Sequence, residues 1–189
     1  MSFAACPRPR NAAATRAAIL DAASQRFTAE SYEQVGIRDV ARDVGVDPAL
    51  ISRYFGSKEE LFRAVIDDCG NGRELMEGDR ATFGERVAHD LVYGPRKENK
   101  LAWLLIMLRS ASSPKAAEVV QRASAEGFYQ PFTEWMGGED AVVRVRIAAG
   151  LMMGVAVSRD LSGGLNMNPD ECERMKARIA RLLQDLVDG

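Results

Sequence analysis

The chain has 189 residues, 47% hydrophobic and 28% charged, which is enough apolar material for a substantial core and excludes a disordered tail. A net charge of −2 excludes a molecule that coats nucleic acid or membrane with its whole surface. The balance is uneven: residues 1–58 hold eight Lys/Arg against six Asp/Glu and residues 59–189 seventeen against twenty-one, and since the first acid is Asp21, Arg8, Arg10 and Arg16 form an unopposed basic stretch.

Residues 1–14, basic and without an apolar h-region, read as a flexible N-terminal arm and not as a signal peptide. A first helix is expected from about Thr15 to Thr28, with Ile19, Ala23 and Phe27 along one side. Ile37, Val40, Ala41 and Val44 then follow the i, i+3, i+4, i+7 pattern of an amphipathic helix. Gly45 ends it, as a residue free to take positive φ can. Asp47-Pro48 restarts the chain: the Asp carboxylate accepts from orphan N–H groups, and a proline at the first helical position lacks an N–H that would be unpaired anyway. Gly56 closes this short helix. Ser57-Lys58-Glu59-Glu60 is a capping-box sequence opening a helix with Leu61, Phe62, Val65, Ile66 and Cys69 inward.

Gly70-Asn71-Gly72 is expected to loosen the chain, and Leu75-Met76 to resume the helix. A helix around Phe83, Val87 and Leu91 follows. The longest apolar run, Leu101 to Leu108, is far below the roughly 18 residues of a membrane span and reads as a helix buried all round. Ser113-Pro114 starts a helix through Val119, Val120, Ala123 and Phe128, with Pro131 a kink or restart before Trp135. Gly137-Gly138 is a loop, Ala141 to Arg159 a long helix, and Asn168-Pro169-Asp170-Glu171 the start of the last one, on which Cys172, Met175, Ile179, Leu182, Leu183 and Leu186 recur at helical spacing. Period-2 strand patterns are missing, so the expected class is all-α, with about nine helices. Cys6, Cys69 and Cys172 are odd in number and far apart, which points to a reducing cytoplasm.

Two helices joined by a short glycine-containing turn form a helix-turn-helix, and the first helix can cover its apolar side. Winding the Pro48–Phe55 segment at about 100° per residue puts Ile51 and Phe55 together, toward the core. Arg53 then points away, flanked by Ala49 and Leu50, with Ser52 and Tyr54 on the shoulders. That face suits a major groove, which offers thymine methyls to apolar side chains and guanine O6/N7 to arginine. Tyr54 can donate to a phosphate. Lys58 adds its charge to helix N-terminal N–H groups that already favour an anion.

Residues 15–62 resemble the DNA-binding domain of TetR-family transcriptional regulators. The resemblance rests on Ile19-Leu20-Asp21-Ala22-Ala23 and Phe27, on Arg38-Asp39-Val40-Ala41, and on Phe55, Lys58 and Leu61 in the Phe-x-x-Lys-x-x-Leu close. Gly36 stands where the family often has Thr or Ser, and Ser52 where it has Tyr, so a phosphate contact is expected to be missing at each place. Arg38, Pro48, Ala49, Leu50, Ser52, Arg53, Tyr54 and Lys58 are the candidate DNA-contacting residues.

The resemblance implies a helix-turn-helix domain over residues 15–60 and a larger helical effector-binding and dimerisation domain over 61–189. It further implies that the last two helices form the four-helix bundle of a homodimer, for which Met152, Met153, Val155, Ile179, Leu182, Leu183 and Leu186 are candidates. Phe83, Val87, Trp103, Met107, Phe128 and Phe132 are candidate lining for an apolar effector pocket. His89 is expected at the surface or at a cap. With one His, scattered Cys, no Gly-rich phosphate loop and no His/Glu metal spacing, the sequence offers no catalytic constellation, metal site or cofactor site. The expected function is a homodimeric repressor, without a membrane partner, that leaves a palindromic double-stranded DNA operator when a small apolar molecule of unknown identity binds. A helical small-molecule carrier or adaptor that no longer binds DNA is the alternative.

Overall fold

The computed structural model describes residues 9–69, 72–95 and 98–189, and every regular element among them is helical. In chain order these are α1 (Pro9–Ala29), α2 (Ile37–Val44), α3 (Pro48–Phe55), α4 (Lys58–Asp68), α5 (Arg73–Met76), a 3-10 turn (Arg80–Thr82), α6 (Phe83–Tyr93), α7 (Glu98–Ser110), α8 (Pro114–Ser124), a π-turn (Ala125–Tyr129), α9 (Gln130–Met136), α10 (Ala141–Leu161) and α11 (Pro169–Asp188). With α8, the π-turn and α9 taken as one rod, and the four-residue α5 set aside, there are nine helices among the described residues.

The described residues fall into two compact units, one from residues 1–69 with 102–121, the other from 70–101 with 122–189. The first unit therefore runs on through α4 to Cys69, beyond the expected boundary at residue 60. It also takes in much of α7 and α8. In it α1 packs against α2, α3 and α4. Its core holds Ile19, Val40, Ile51, Leu61 and Val65, all fully buried, around Phe62, whose ring meets Phe27 edge-on at 4.7 Å and Tyr32 at 5.0 Å.

The local signals act as their chemistry requires. Gly45 takes φ 72° and lets the Val46 N–H reach back to the Ala41 carbonyl at 2.9 Å, which satisfies an orphan acceptor. Asp47 accepts from the Ala49 N–H at 2.7 Å and Ser57 from the Glu60 N–H at 3.1 Å. The start of α11 is a complete box: Asn168 accepts from the Glu171 N–H, and Glu171 accepts from the Asn168 N–H.

Two expectations change. The first helix begins at Pro9, so residues 9–14 are helical where an arm was expected: proline suits a first helical position, and the alanines that follow have the highest helix propensity. Residues 1–8 of that arm lie outside the described residues. The apolar run on α7 is not buried all round, since Ile106 is 1% exposed and Leu108 64%; eight consecutive apolar residues give a helix no preferred side. Pro131, by contrast, stands at a restart as expected: α9 opens at Gln130 with the proline in its first turn. The irregularity sits just before it, in the π-turn, where wider hydrogen bonding accommodates a residue that has no N–H to give.

In the second unit α6 and α11 form the principal helix pair. Their approach is set by Gly84, where an added Cβ would stand 2.2 Å from the Ala180 carbonyl oxygen. The obstacle is backbone, so Gly84→Ala is expected to lower stability by about 1–3 kcal/mol or more, measured by denaturant unfolding. Phe83, Phe132 and Leu183 are fully buried. Arginines close the helix ends, where a cation meets the negative pole of the helix dipole. Arg80 donates to the carbonyls of Trp135, Met136 and Val187 at 2.6–2.7 Å, Arg144 to those of Gly137, Glu139 and Leu186, and Arg159 to that of Leu91 at 2.7 Å.

Candidate nucleic-acid interface

On α3, Ile51 and Phe55 are buried while Pro48, Ala49, Ser52 and Arg53 are exposed and Leu50 and Tyr54 half-buried. The helix thus turns one narrow stripe to the core and leaves a contiguous outward face. Arg38, the second residue of α2, is also exposed. The N-cap of α2, Gly36, makes no side-chain bond, in keeping with the lost hydroxyl noted in the sequence.

Charge pairing sorts the arginines of α1–α4. Arg26 holds Asp43 and Glu30, and Arg42 holds Asp39. Arg63 pairs with Asp67. Arg16, Arg38 and Arg53 have no carboxylate partner among the described residues. Such guanidiniums remain available to an external anion, and phosphate is the anion that α-helical DNA readers meet first. Arg16 is a residue the groove argument missed: it is exposed on α1, and its guanidinium carbon lies 4.8 Å from the centre of the Phe55 ring that ends α3. Its place in the unopposed basic stretch was the available signal.

Lys58 is not a free cation on a surface. Its ammonium lies 4.2 Å from the centre of the Tyr32 ring, and burial pushes its pKa down. Tyr32 is 4% exposed, and burial followed by the Glu59 carboxylate pushes its hydroxyl up to about 12. Around these two, Ser113 donates to Glu33 at 2.7 Å and Lys115 pairs with Glu59. The Lys115 bond is the main reason the Glu59 carboxyl is held down at about 2. A depressed acid contributes stability above its ordinary value of 4.5 and loses it as pH falls toward about 2.

The candidate pocket residues are divided between the two units. Phe83, Val87, Phe128 and Phe132 belong to the second unit, Trp103 and Met107 to the first. Phe132 lies 5.8 Å from Phe83 and 5.5 Å from Phe128, ring centre to ring centre, so these side chains fill the space between them. Of the candidate seam residues, Met152, Ile179 and Leu183 are spent in the core of their own chain, Met153, Val155 and Leu186 are half-buried, and Leu182 is exposed. The exposed apolar face of α10 and α11 consists instead of Val143, Ile147 and Leu182, each 52–54% exposed, with Leu151 and Leu186 beside them. α10 has the length and composition of a membrane span, 21 residues at mean hydropathy 1.6, because it feeds both the core and this outward face. His89 is exposed, its ring 5.4 Å from that of Tyr93. Among the described residues no group of three or more His, Cys, Asp or Glu side chains could hold a metal ion.

Residues 19–65 match the family model described as bacterial regulatory proteins, tetR family, and residues 81–187 match that of the tetracyclin repressor-like C-terminal domain. An uncharacterized HTH-type transcriptional regulator of Haemophilus influenzae is 25% identical over 185 residues, covering 93% of this chain and 89% of that one. An HTH-type transcriptional repressor of Mycobacterium tuberculosis is 41% identical over 54 residues, 29% of each chain. The solved structure of Salmonella enterica GusR superposes with a TM-score of 0.66 at 17% identity, covering 93% of this chain and 96% of that one. With both halves matched, and with an α3 whose outward face carries an exposed arginine, the chain belongs to the TetR family of bacterial transcription regulators.

Proposed function

We propose that the protein works in the cytoplasm as a homodimeric repressor that binds a palindromic operator and leaves it when a small apolar molecule binds. The observation that carries the DNA half is the outward face of α3, where Arg53 stands exposed between Ala49 and Leu50, with no carboxylate partner among the described residues. Such a face reads only a few base pairs, and a two-fold pair of them reads two half-sites one helical turn, or a multiple, apart. Support for the pair comes from the apolar face of α10 and α11. Val143, Ile147, Leu151, Leu182 and Leu186 form a stripe too long and apolar to be left to water by a monomer. Gly150 and Gly154 are open beside it, with nothing within 4 Å of an added Cβ, so a facing helix can approach closely.

The effector half rests on Phe83, Val87, Phe128 and Phe132. Phe128 is the half-buried member, and a ligand entering among these rings displaces it first. Such a ligand releases DNA only through a difference in affinity between the binding and non-binding states. Repression in the M. tuberculosis relative supports this direction of control.

Sedimentation together with a titration of duplex DNA at fixed salt tests the reading. The wild type is expected to run as a dimer and to select a palindrome from a random-sequence pool. Ile147→Glu is expected to run as a monomer with unchanged helix content and weakened operator binding, because the second half-site no longer benefits from a tethered partner. A wild type that is monomeric and selects no duplex overturns the proposal.

A further inference from the structure

Around Lys58 stand a second ammonium, Lys115, two carboxylates, Glu33 and Glu59, the Ser113 hydroxyl and the Tyr32 ring. Both carboxylates near Lys58 are taken from the same side. Ser113, which caps α8, donates to Glu33, and Lys115, on the first turn of α8, holds Glu59. Glu59 directly follows Lys58 in the first turn of α4, where neighbouring side chains diverge, so it cannot pair well with Lys58 itself. Unneutralised, its charge would stand beside the end of α4 and repel any phosphate that Lys58 approached.

We propose that Lys115 is a positioning residue for DNA binding: by neutralising Glu59 it leaves the Lys58 end of α4 attractive to a backbone phosphate. The inference rests on the DNA-binding reading above. Lys115 itself need touch no DNA. Its side chain is 62% exposed and that of Glu59 28%, so both can be changed without opening the core.

The test uses the full-length protein and the tightest duplex that the wild type selects from a random pool, at fixed salt. Lys115→Met is expected to weaken binding about threefold to tenfold, the size of one partly screened charge near a phosphate. Lys115→Arg should bind like the wild type, and adding Glu59→Gln to Lys115→Met should restore wild-type affinity. A merely loosened fold would not be restored by the second substitution, and a lost phosphate contact would lower the salt slope whether or not Glu59 is changed. If Lys115→Met binds like the wild type, or if Glu59→Gln fails to rescue it, the proposal is overturned while the DNA-binding reading stands. A slope of affinity against salt that falls by about one in Lys115→Met, unrescued, would assign Lys115 a direct phosphate contact instead. A wild type that selects no duplex overturns both readings.

Discussion

Arg53→Ala is expected to weaken binding to the selected duplex by about tenfold to a hundredfold, the range for loss of one bidentate arginine contact to a base edge. The side chain is exposed and has no carboxylate partner among the described residues. The Tyr54 ring centre lies 6.0 Å from its guanidinium carbon, a loose contact, so the thermal midpoint should not move. Fluorescence anisotropy at fixed salt measures the loss, and a random duplex run in parallel shows its kind. If Arg53 reads a base, affinity for the selected site falls more than affinity for the random one. A uniform fall with a shallower salt slope would place it on phosphate. Wild-type affinity for the selected site would remove Arg53 from the interface.

Phe132→Ala is expected to cost about 3–5 kcal/mol, as truncation of a buried aromatic residue does when its neighbours cannot collapse into the space. Phe132 is fully buried, with Phe83, Phe128 and Trp135 all within 5.8 Å between ring centres. For a chain of this length that corresponds to a midpoint lowered by about 6–20 °C, measured by circular dichroism at 222 nm on scanning temperature. The vacated space is apolar and the size of one ring. Benzene should therefore recover part of the midpoint, as apolar cavities bind apolar solutes. A drop of less than about 1 kcal/mol would mean that the aromatic cluster is loosely packed and that Phe132 is dispensable to it.

The reader of the sequence sees the helix-turn-helix because its information is local. Gly45, Asp47, Pro48 and Gly56 mark the boundaries within a dozen residues, and the spacing of Ile51 and Phe55 decides which way Arg53 points. Asn168 and Glu171 announce α11 equally plainly, three residues apart. What could not be read is information held between distant residues. Arg80 meets the carbonyl of Val187, 107 residues away, and Ser113 meets Glu33 across 80; nothing in either neighbourhood announces the partner. Gly84 looks like an ordinary weak point in a helix until the Ala180 carbonyl is placed against it. On α10, apolar residues occur on every side, so periodicity could not separate Met152, which faces in, from Ile147, which faces out. The same uniformity concealed the exposed side of α7, where Leu108 is as apolar as Ile106 and has none of its cover.

The π-turn at Ala125–Tyr129 amounts to one surplus residue in the ladder of the rod from Pro114 to Met136. Excising Gly127 would let the ladder close as an ordinary helix, so spectroscopic helicity would hardly register the loss. Everything downstream would keep its direction round the axis, because the wider turn already absorbs the extra residue, and Phe132 and Trp135 would stay against the rings they touch. A one-codon gap at this place in a sequence alignment is therefore compatible with an unchanged interior, whereas the same gap elsewhere in the rod is not.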